Sequence, residues 1–283
     1  MVYDILITAS QLINLQASGT PLVLLDCGFD LADTSAGERA YAEGHLPGAH
    51  YAHLDRDLSG KKTGHNGRHP LPTRQALAAR AGQWGIRPGV QVVAYDNQAM
   101  PYAARAWWLL RWLGHAEVAV LDGGRGAWLA AGGSLSTAVP QAAALPPYPA
   151  AATAAMPTVD TATLLARLGQ VLVLDARAGE RFRGEAEPLD PVAGHIPGAT
   201  LRFFKDNLGA EGTFKPAAQL RAELAALGVQ ADKVSEVVQQ CGSGVTACHN
   251  LLAAAHAGLG ISTLYPGSWS EWCSDASRPV ARP

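Results

Sequence analysis

Gly44-His45-Leu46-Pro47-Gly48-Ala49 returns 150 residues later as Gly194-His195-Ile196-Pro197-Gly198-Ala199. The flanks repeat with it. Before each copy lies an apolar run ending in Asp: Leu22-Val23-Leu24-Leu25-Asp26, then Val171-Leu172-Val173-Leu174-Asp175. After each copy comes a helical stretch and then a Val-rich strand, Val90-Gln91-Val92-Val93 in one case and Val234 to Val238 in the other. A loop, a helix, a short strand and a Gly/Trp segment complete each copy, Gly123-Gly124-Arg125-Gly126-Ala127-Trp128 and Gly267-Ser268-Trp269-Ser270-Glu271-Trp272. Continuous apolar strands separated by helical patterns predict a parallel sheet covered by helices on both faces. The fold class is therefore α/β, with two similar domains in tandem, 1–138 and 158–283. Residues 139–157 between them are rich in Ala and Pro, with Pro146-Pro147, and predict an extended linker.

A chain of 283 residues, 48% hydrophobic and 16% charged, has the material for two ordinary cores. Its net charge of -2, with no basic tract, argues against nucleic acid or an anionic membrane as main partner. No basic-then-apolar leader opens the sequence at Met1-Val2-Tyr3-Asp4-Ile5, and no long charge-free apolar run is present. Cys27, Cys241, Cys248 and Cys273 lack both the density of a disulfide framework and the close pairing of a zinc site. Reduced thiols in a reducing compartment follow, and a cytoplasmic location is expected.

One of these cysteines stands apart. Cys241-Gly242-Ser243-Gly244-Val245-Thr246-Ala247 falls between an apolar strand and a helical pattern that begins at Cys248-His249-Asn250. A loop of small residues entering a helix turns backbone N–H groups toward the sulfur and stabilises negative charge there. Aligning the Val-rich strands sets Asp96 of the first copy opposite Cys241 of the second. The first domain thus has the scaffold without the nucleophile. A cysteine phosphatase would need an Arg after five intervening residues, and Ala247 occupies that position.

Together, the doubled Gly-His-Ile/Leu-Pro-Gly-Ala motif, Asp96 in one loop and Cys241 in the other resemble tandem-domain rhodanese-type sulfurtransferases over nearly the full length. The Cys241 loop is similar to that of 3-mercaptopyruvate sulfurtransferases. Thiosulfate sulfurtransferases commonly carry basic residues just after the cysteine, where this chain has Gly242 and Ser243. Thiosulfate is a dianion that cationic side chains would hold, whereas a neutral loop with a hydroxyl suits mercaptopyruvate.

The resemblance implies two rhodanese-like domains and sulfur transfer through a persulfide on Cys241. The amides of Gly242, Gly244, Val245 and Thr246 would cradle it, and no metal or organic cofactor is implied. Ser243 would join a proton relay with His69 and Asp55, with His65 as the alternative histidine. Arg181 would hold the substrate anion. A second carboxylate-binding Arg of the family is missing, because Leu189 stands in its place in Glu187-Pro188-Leu189-Asp190-Pro191. The partners implied are a small-molecule sulfur donor and an acceptor, which is a thiol (a thioredoxin-like protein among the candidates) or cyanide. Thiosulfate as donor, or a non-catalytic persulfide carrier, remain the alternatives. His45 and His195 occur in both copies, including the one without a cysteine, and are read as structural. Cys248 is read as a core residue, Cys27 and Cys273 as packing or loop residues, and Trp107, Trp108 and Trp112 as core or domain-interface residues. Trp269 and Trp272 are expected to close over the active-site side of the second domain.

Overall fold

In the computed structural model, which describes residues 2–141 and 145–282, both Asp-terminated apolar runs are parallel strands. The first sheet contains β1 (Leu6–Ile7), β2 (Leu22–Asp26), β3 (Ala49–Tyr51), β4 (Gln91–Tyr95) and β5 (Val118–Leu121), in the order β1-β5-β4-β2-β3. The second contains β6 (Leu172–Asp175), β7 (Thr200–Leu201), β8 (Val237–Gln240) and β9 (Thr263–Leu264), in the order β7-β6-β8-β9. Strand for strand this repeats β3-β2-β4-β5. A parallel bridge between Thr158 and Leu264 stands where β1 pairs with β5 in the first sheet.

The central strands β2, β4, β5, β6 and β8 are buried along nearly all their length, as their unbroken apolar runs demand. Around the first sheet Ile7, Leu12, Leu24, Val93, Leu121 and Trp128 form one core. Around the second, Val173, Ile196, Val238, Tyr265, Trp269 and Trp272 form another. The chain divides into two compact units, one of residues 1–60, 72–155 and 211–213, the other of 61–71, 156–210 and 214–283. The segment 61–71, which follows the first hexapeptide, thus groups with the second unit.

Three strands depart from the expected pattern. β3 and β7 begin directly at the end of each hexapeptide, pairing Leu24 with Ala49 and Leu174 with Thr200. Val234, expected in a strand, lies in a 3-10 turn over Ala231–Glu236, and β8 starts only at Val237. Residues 145–155 form no helix or strand and run along the first unit: Leu145 N donates to Gly82 O (3.1 Å) and Tyr148 N to Ala78 O (2.9 Å). Residues 142–144 of the expected linker lie outside the described residues.

The repeated histidines do the same job twice. His45 Nδ1 lies 2.8 Å from Tyr41 O and its ring stacks on Tyr41 at 3.8 Å. His195 Nδ1 lies 2.8 Å from Phe182 O and stacks on Phe182 at 4.0 Å. Each ties the preceding helix to the hexapeptide, so both are structural. Among the described residues no helix is long and apolar enough to cross a membrane.

Candidate active site

β8 ends at Gln240, Cys241 is the next residue, and the helix Thr246–His256 begins just beyond the loop. The turn between them is tight. Gly244 has φ +77°, and a Cβ there would lie 2.3 Å from Pro266 O, so only glycine fits. The other wall of the loop is the segment 265–270. Cys241 N donates to Ser268 Oγ (3.1 Å), Trp269 N donates to Cys241 O (2.9 Å), and Ser270 N donates to Gly242 O (2.9 Å). Ser268 itself sits at φ +52°, and its hydroxyl offsets that strain by bridging Cys241 N to Tyr265 O.

So held, Cys241 Sγ accepts from Ser243 N (3.5 Å) and Gly244 N (3.2 Å). Val245 caps the helix and Thr246 is its first residue. The Ser243 and Gly244 amides therefore point partial positive charge at the sulfur and favour its thiolate form. Trp269 and Trp272 lie in the core of the second unit with their side chains buried. It is the backbone of their helix, and Ser268, that shape the loop.

Ser243 Oγ lies 2.7 Å from His69 Nδ1, and both residues are buried. Each belongs to the second unit. His65, the alternative histidine, is exposed, with its N–H 3.4 Å from Thr63 Oγ1. Asp55 lies in the first unit, where its N–H donates to His53 Nδ1 (3.1 Å).

Arg181 is not a lone cation. A largely buried chain of alternating charge runs Asp175–Arg177–Glu187–Arg181–Asp190–Arg68, with Arg181 and Arg68 partly exposed. Arg177 Nη2 meets Asp175 at 2.8 Å, and its guanidinium lies over the Trp269 ring at 4.8 Å. Arg181 Nη2 meets Glu187 at 2.6 Å and Asp190 at 3.1 Å. Arg68 Nη1 meets the other oxygen of Asp190. Burial pushes the Asp190 carboxyl up, against the pull of Arg68 and Arg181. Leu189 is exposed beside this chain, and Arg183 pairs at the surface with Glu185.

Arg68 and the two carboxylates had no motif to mark them. The only available signal was the Arg immediately before the candidate relay histidine. Cys248 is buried, with Sγ 3.4 Å from Gly244 O, and Cys27 and Cys273 are buried as well. Among the described residues, no group of three or more His, Cys, Asp or Glu side chains could hold a metal ion.

In the first unit the matching loop is filled from within. Asp96 follows β4 as Cys241 follows β8, and its carboxylate accepts from the N–H groups of Gln98 (2.8 Å), Met100 (2.8 Å), Tyr102 (3.0 Å) and Ala103 (2.9 Å). These bonds hold Ala99 and Met100 at φ +68° and +69°. Burial nevertheless pushes the Asp96 pKa up to about 6, the four N–H donors opposing it. The proton is thus bound more tightly in the folded chain than in the unfolded one. The stability this group contributes is full below about pH 4 and is lost as pH rises to about 6. Asp96→Ala strands four buried donors. It is expected to cost about 2–4 kcal/mol in urea denaturation at neutral pH, while the folded fraction keeps its turnover.

Comparison with known proteins places these features in one family. The model of the rhodanese-like domain matches residues 8–131 and again 160–275. The chain is 51% identical over 280 residues to a probable 3-mercaptopyruvate sulfurtransferase of Pseudomonas aeruginosa, covering 98% of this chain and 97% of that protein. It is 43% identical over 282 residues to a putative thiosulfate sulfurtransferase of Mycobacterium tuberculosis, covering 99% and 97%. Among solved structures, the 3-mercaptopyruvate sulfurtransferase from Leishmania major superposes with a TM-score of 0.83 at 28% identity, over 95% of this chain and 74% of that one. Two matched domains, one loop carrying Cys241 and the other closed by Asp96, show that the chain belongs to the rhodanese family as a tandem-domain sulfurtransferase.

Proposed function

We propose that the enzyme takes sulfur from 3-mercaptopyruvate onto Cys241 and passes it to a thiol or to cyanide. The Ser243 Oγ to His69 Nδ1 contact of 2.7 Å, two residues from the nucleophile, carries this reading. The Cys241 thiolate attacks the donor sulfur, an S–S bond forms, and the C–S bond breaks. Its electron pair leaves on carbon as the pyruvate enolate. The proton of the transferred SH group passes through Ser243 and His69 to the enolate carbon, giving pyruvate. Ser243 N and Gly244 N stabilise the resulting persulfide anion. An acceptor thiolate or cyanide then attacks the outer sulfur, and the Cys241 thiolate is regenerated. Asp55, as the resemblance implies, is the third relay member. The acceptor we favour is a thioredoxin-like protein dithiol, in the cytoplasm, a compartment that suits four buried thiols.

Thiosulfate, named for the Mycobacterium tuberculosis relative, is the rival donor. It releases sulfite, a leaving group that needs no proton. Wild type is therefore expected to show kcat/KM for 3-mercaptopyruvate more than about tenfold above that for thiosulfate, a difference of ~1.4 kcal/mol. Ser243→Ala is expected to lower kcat with 3-mercaptopyruvate by about 10²-fold and to leave thiosulfate turnover within a few-fold. Equal loss with both donors, or a thiosulfate preference in wild type, would assign the donor wrongly.

A further inference from the structure

We propose that Arg68, with Arg181, forms a two-guanidinium clamp for the donor's carboxylate beside Gly242, so that Arg68 supplies the second cation that Leu189 cannot. This rests on 3-mercaptopyruvate as the donor. Arg68 and Arg181 reach the nucleophile loop from segments more than a hundred residues apart in sequence. A Cβ built on Gly242 would lie 3.0 Å from Arg68 Nη2 and 3.2 Å from Arg181 Nη1. The residue after the nucleophile is thus flanked by two cations, and its missing side chain leaves the space between them.

The unused donors are the ones nearest that space. Arg181 spends Nε and Nη2 on Glu187 and Asp190, and Arg68 spends Nη1 on Asp190. Arg181 Nη1 and Arg68 Nη2 make no hydrogen bond among the described residues. Arg68 Nε is buried and also without a partner. The rest of the charged chain holds the two guanidiniums in place. Asp190 already joins them, one oxygen to each, so their spacing is one that a single carboxylate spans. The side chains of Arg68 and Arg181 are 25% and 16% exposed, against 3% and 4% for Glu187 and Asp190. Arg68 and Arg181 are therefore the accessible members of the chain, while Arg177 is buried. Guanidinium forks hold carboxylates bidentately, and two of them facing one small ligand fix its orientation as well as its charge. A carboxylate bound there lies against Gly242, the residue next to Cys241 in sequence.

The test is steady-state kinetics of Arg68→Gln and Arg68→Lys with 3-mercaptopyruvate and cyanide, alongside inhibition by pyruvate, which carries the carboxylate without the sulfur. Arg68→Gln is expected to raise KM and the pyruvate inhibition constant together, by about 10- to 100-fold, with kcat within about threefold. Arg68→Lys is expected to restore part of both. A residue that only positions His69 would instead lower kcat and leave pyruvate inhibition unchanged, and that result overturns the clamp. Unaltered KM and inhibition in Arg68→Gln overturn it too, while leaving the donor assignment intact. If wild type turns over thiosulfate but not 3-mercaptopyruvate, the donor assignment fails. The carboxylate clamp fails with it unless pyruvate still inhibits wild type and loses its grip in Arg68→Gln.

Discussion

Cys241→Ala is expected to abolish sulfur transfer from either donor, by on the order of 10⁴-fold or more in kcat/KM, with the fold intact. In the proposed mechanism sulfur enters and leaves through a bond to this atom. Cys248 is the nearest cysteine in sequence, but it is buried in the helix with its thiol directed at Gly244 O. The loss is therefore one of chemistry rather than binding, as for nucleophiles in other covalent enzymes. Stability is expected to change by no more than about 1 kcal/mol. The substitution removes one small side chain and two long N–H···S contacts, of 3.5 and 3.2 Å. The bonds that shape the loop, from Cys241 N to Ser268 Oγ and from Trp269 N to Cys241 O, are backbone bonds of residue 241 and survive. Circular dichroism and urea denaturation beside the kinetics check both halves. Residual turnover above a few per cent would place the nucleophile elsewhere.

Gly244→Ala has the second large effect, and it strikes fold and function together. At φ +77° an L residue is strained by roughly 1–2 kcal/mol. Its Cβ would also come within 2.3 Å of Pro266 O, a backbone atom that Ser268 and Trp269 hold against the loop. Relieving the clash moves either Gly244 N, a donor to Cys241 Sγ, or the 265–270 brace. The expected cost is about 2–4 kcal/mol in stability, with kcat down by at least about 10²-fold in the protein that still folds. Gly242→Ala is the contrasting variant. Its nearest neighbours would be the guanidiniums of Arg68 and Arg181, ends of flexible side chains that can give way. It is expected to fold nearly as well as wild type. Equal unfolding of the two variants in urea would show that loop tightness does not come from Pro266.

The architecture was legible because it is written twice. An apolar run ending in Asp, the Gly-His-x-Pro-Gly-Ala hexapeptide and a second apolar strand recur in order. Buried parallel strands have no other way to read than as unbroken apolar runs. What escaped were elements whose existence depends on partners. β3 and β7 are only three and two residues long, and nothing in Ala49-His50-Tyr51 or Thr200-Leu201 signals a strand until β2 and β6 lie alongside. Val234 looked like strand because valine favours one, yet the chain makes a 3-10 turn there before β8. The candidate nucleophile stood out in its own loop. His69 did not, since its contact to Ser243 spans 174 residues and only the family resemblance pointed to it. The charged chain through Glu187, Asp190 and Arg68 was least legible of all. Ion pairs between loops leave no periodicity, and each member alone reads as a surface charge.

The central claim is that sulfur resides on Cys241 during turnover. The most direct measurement is the intact mass of the protein after one equivalent of 3-mercaptopyruvate with no acceptor, followed by a second mass after cyanide. Wild type is expected to gain the mass of one sulfur atom, mapped by peptide to Cys241, with pyruvate released in equal amount. Cyanide should return the mass to its starting value and yield one thiocyanate, and Cys241→Ala should gain nothing. Pyruvate release without added mass, or the extra sulfur found on Cys27, Cys248 or Cys273, would contradict transfer through a Cys241 persulfide.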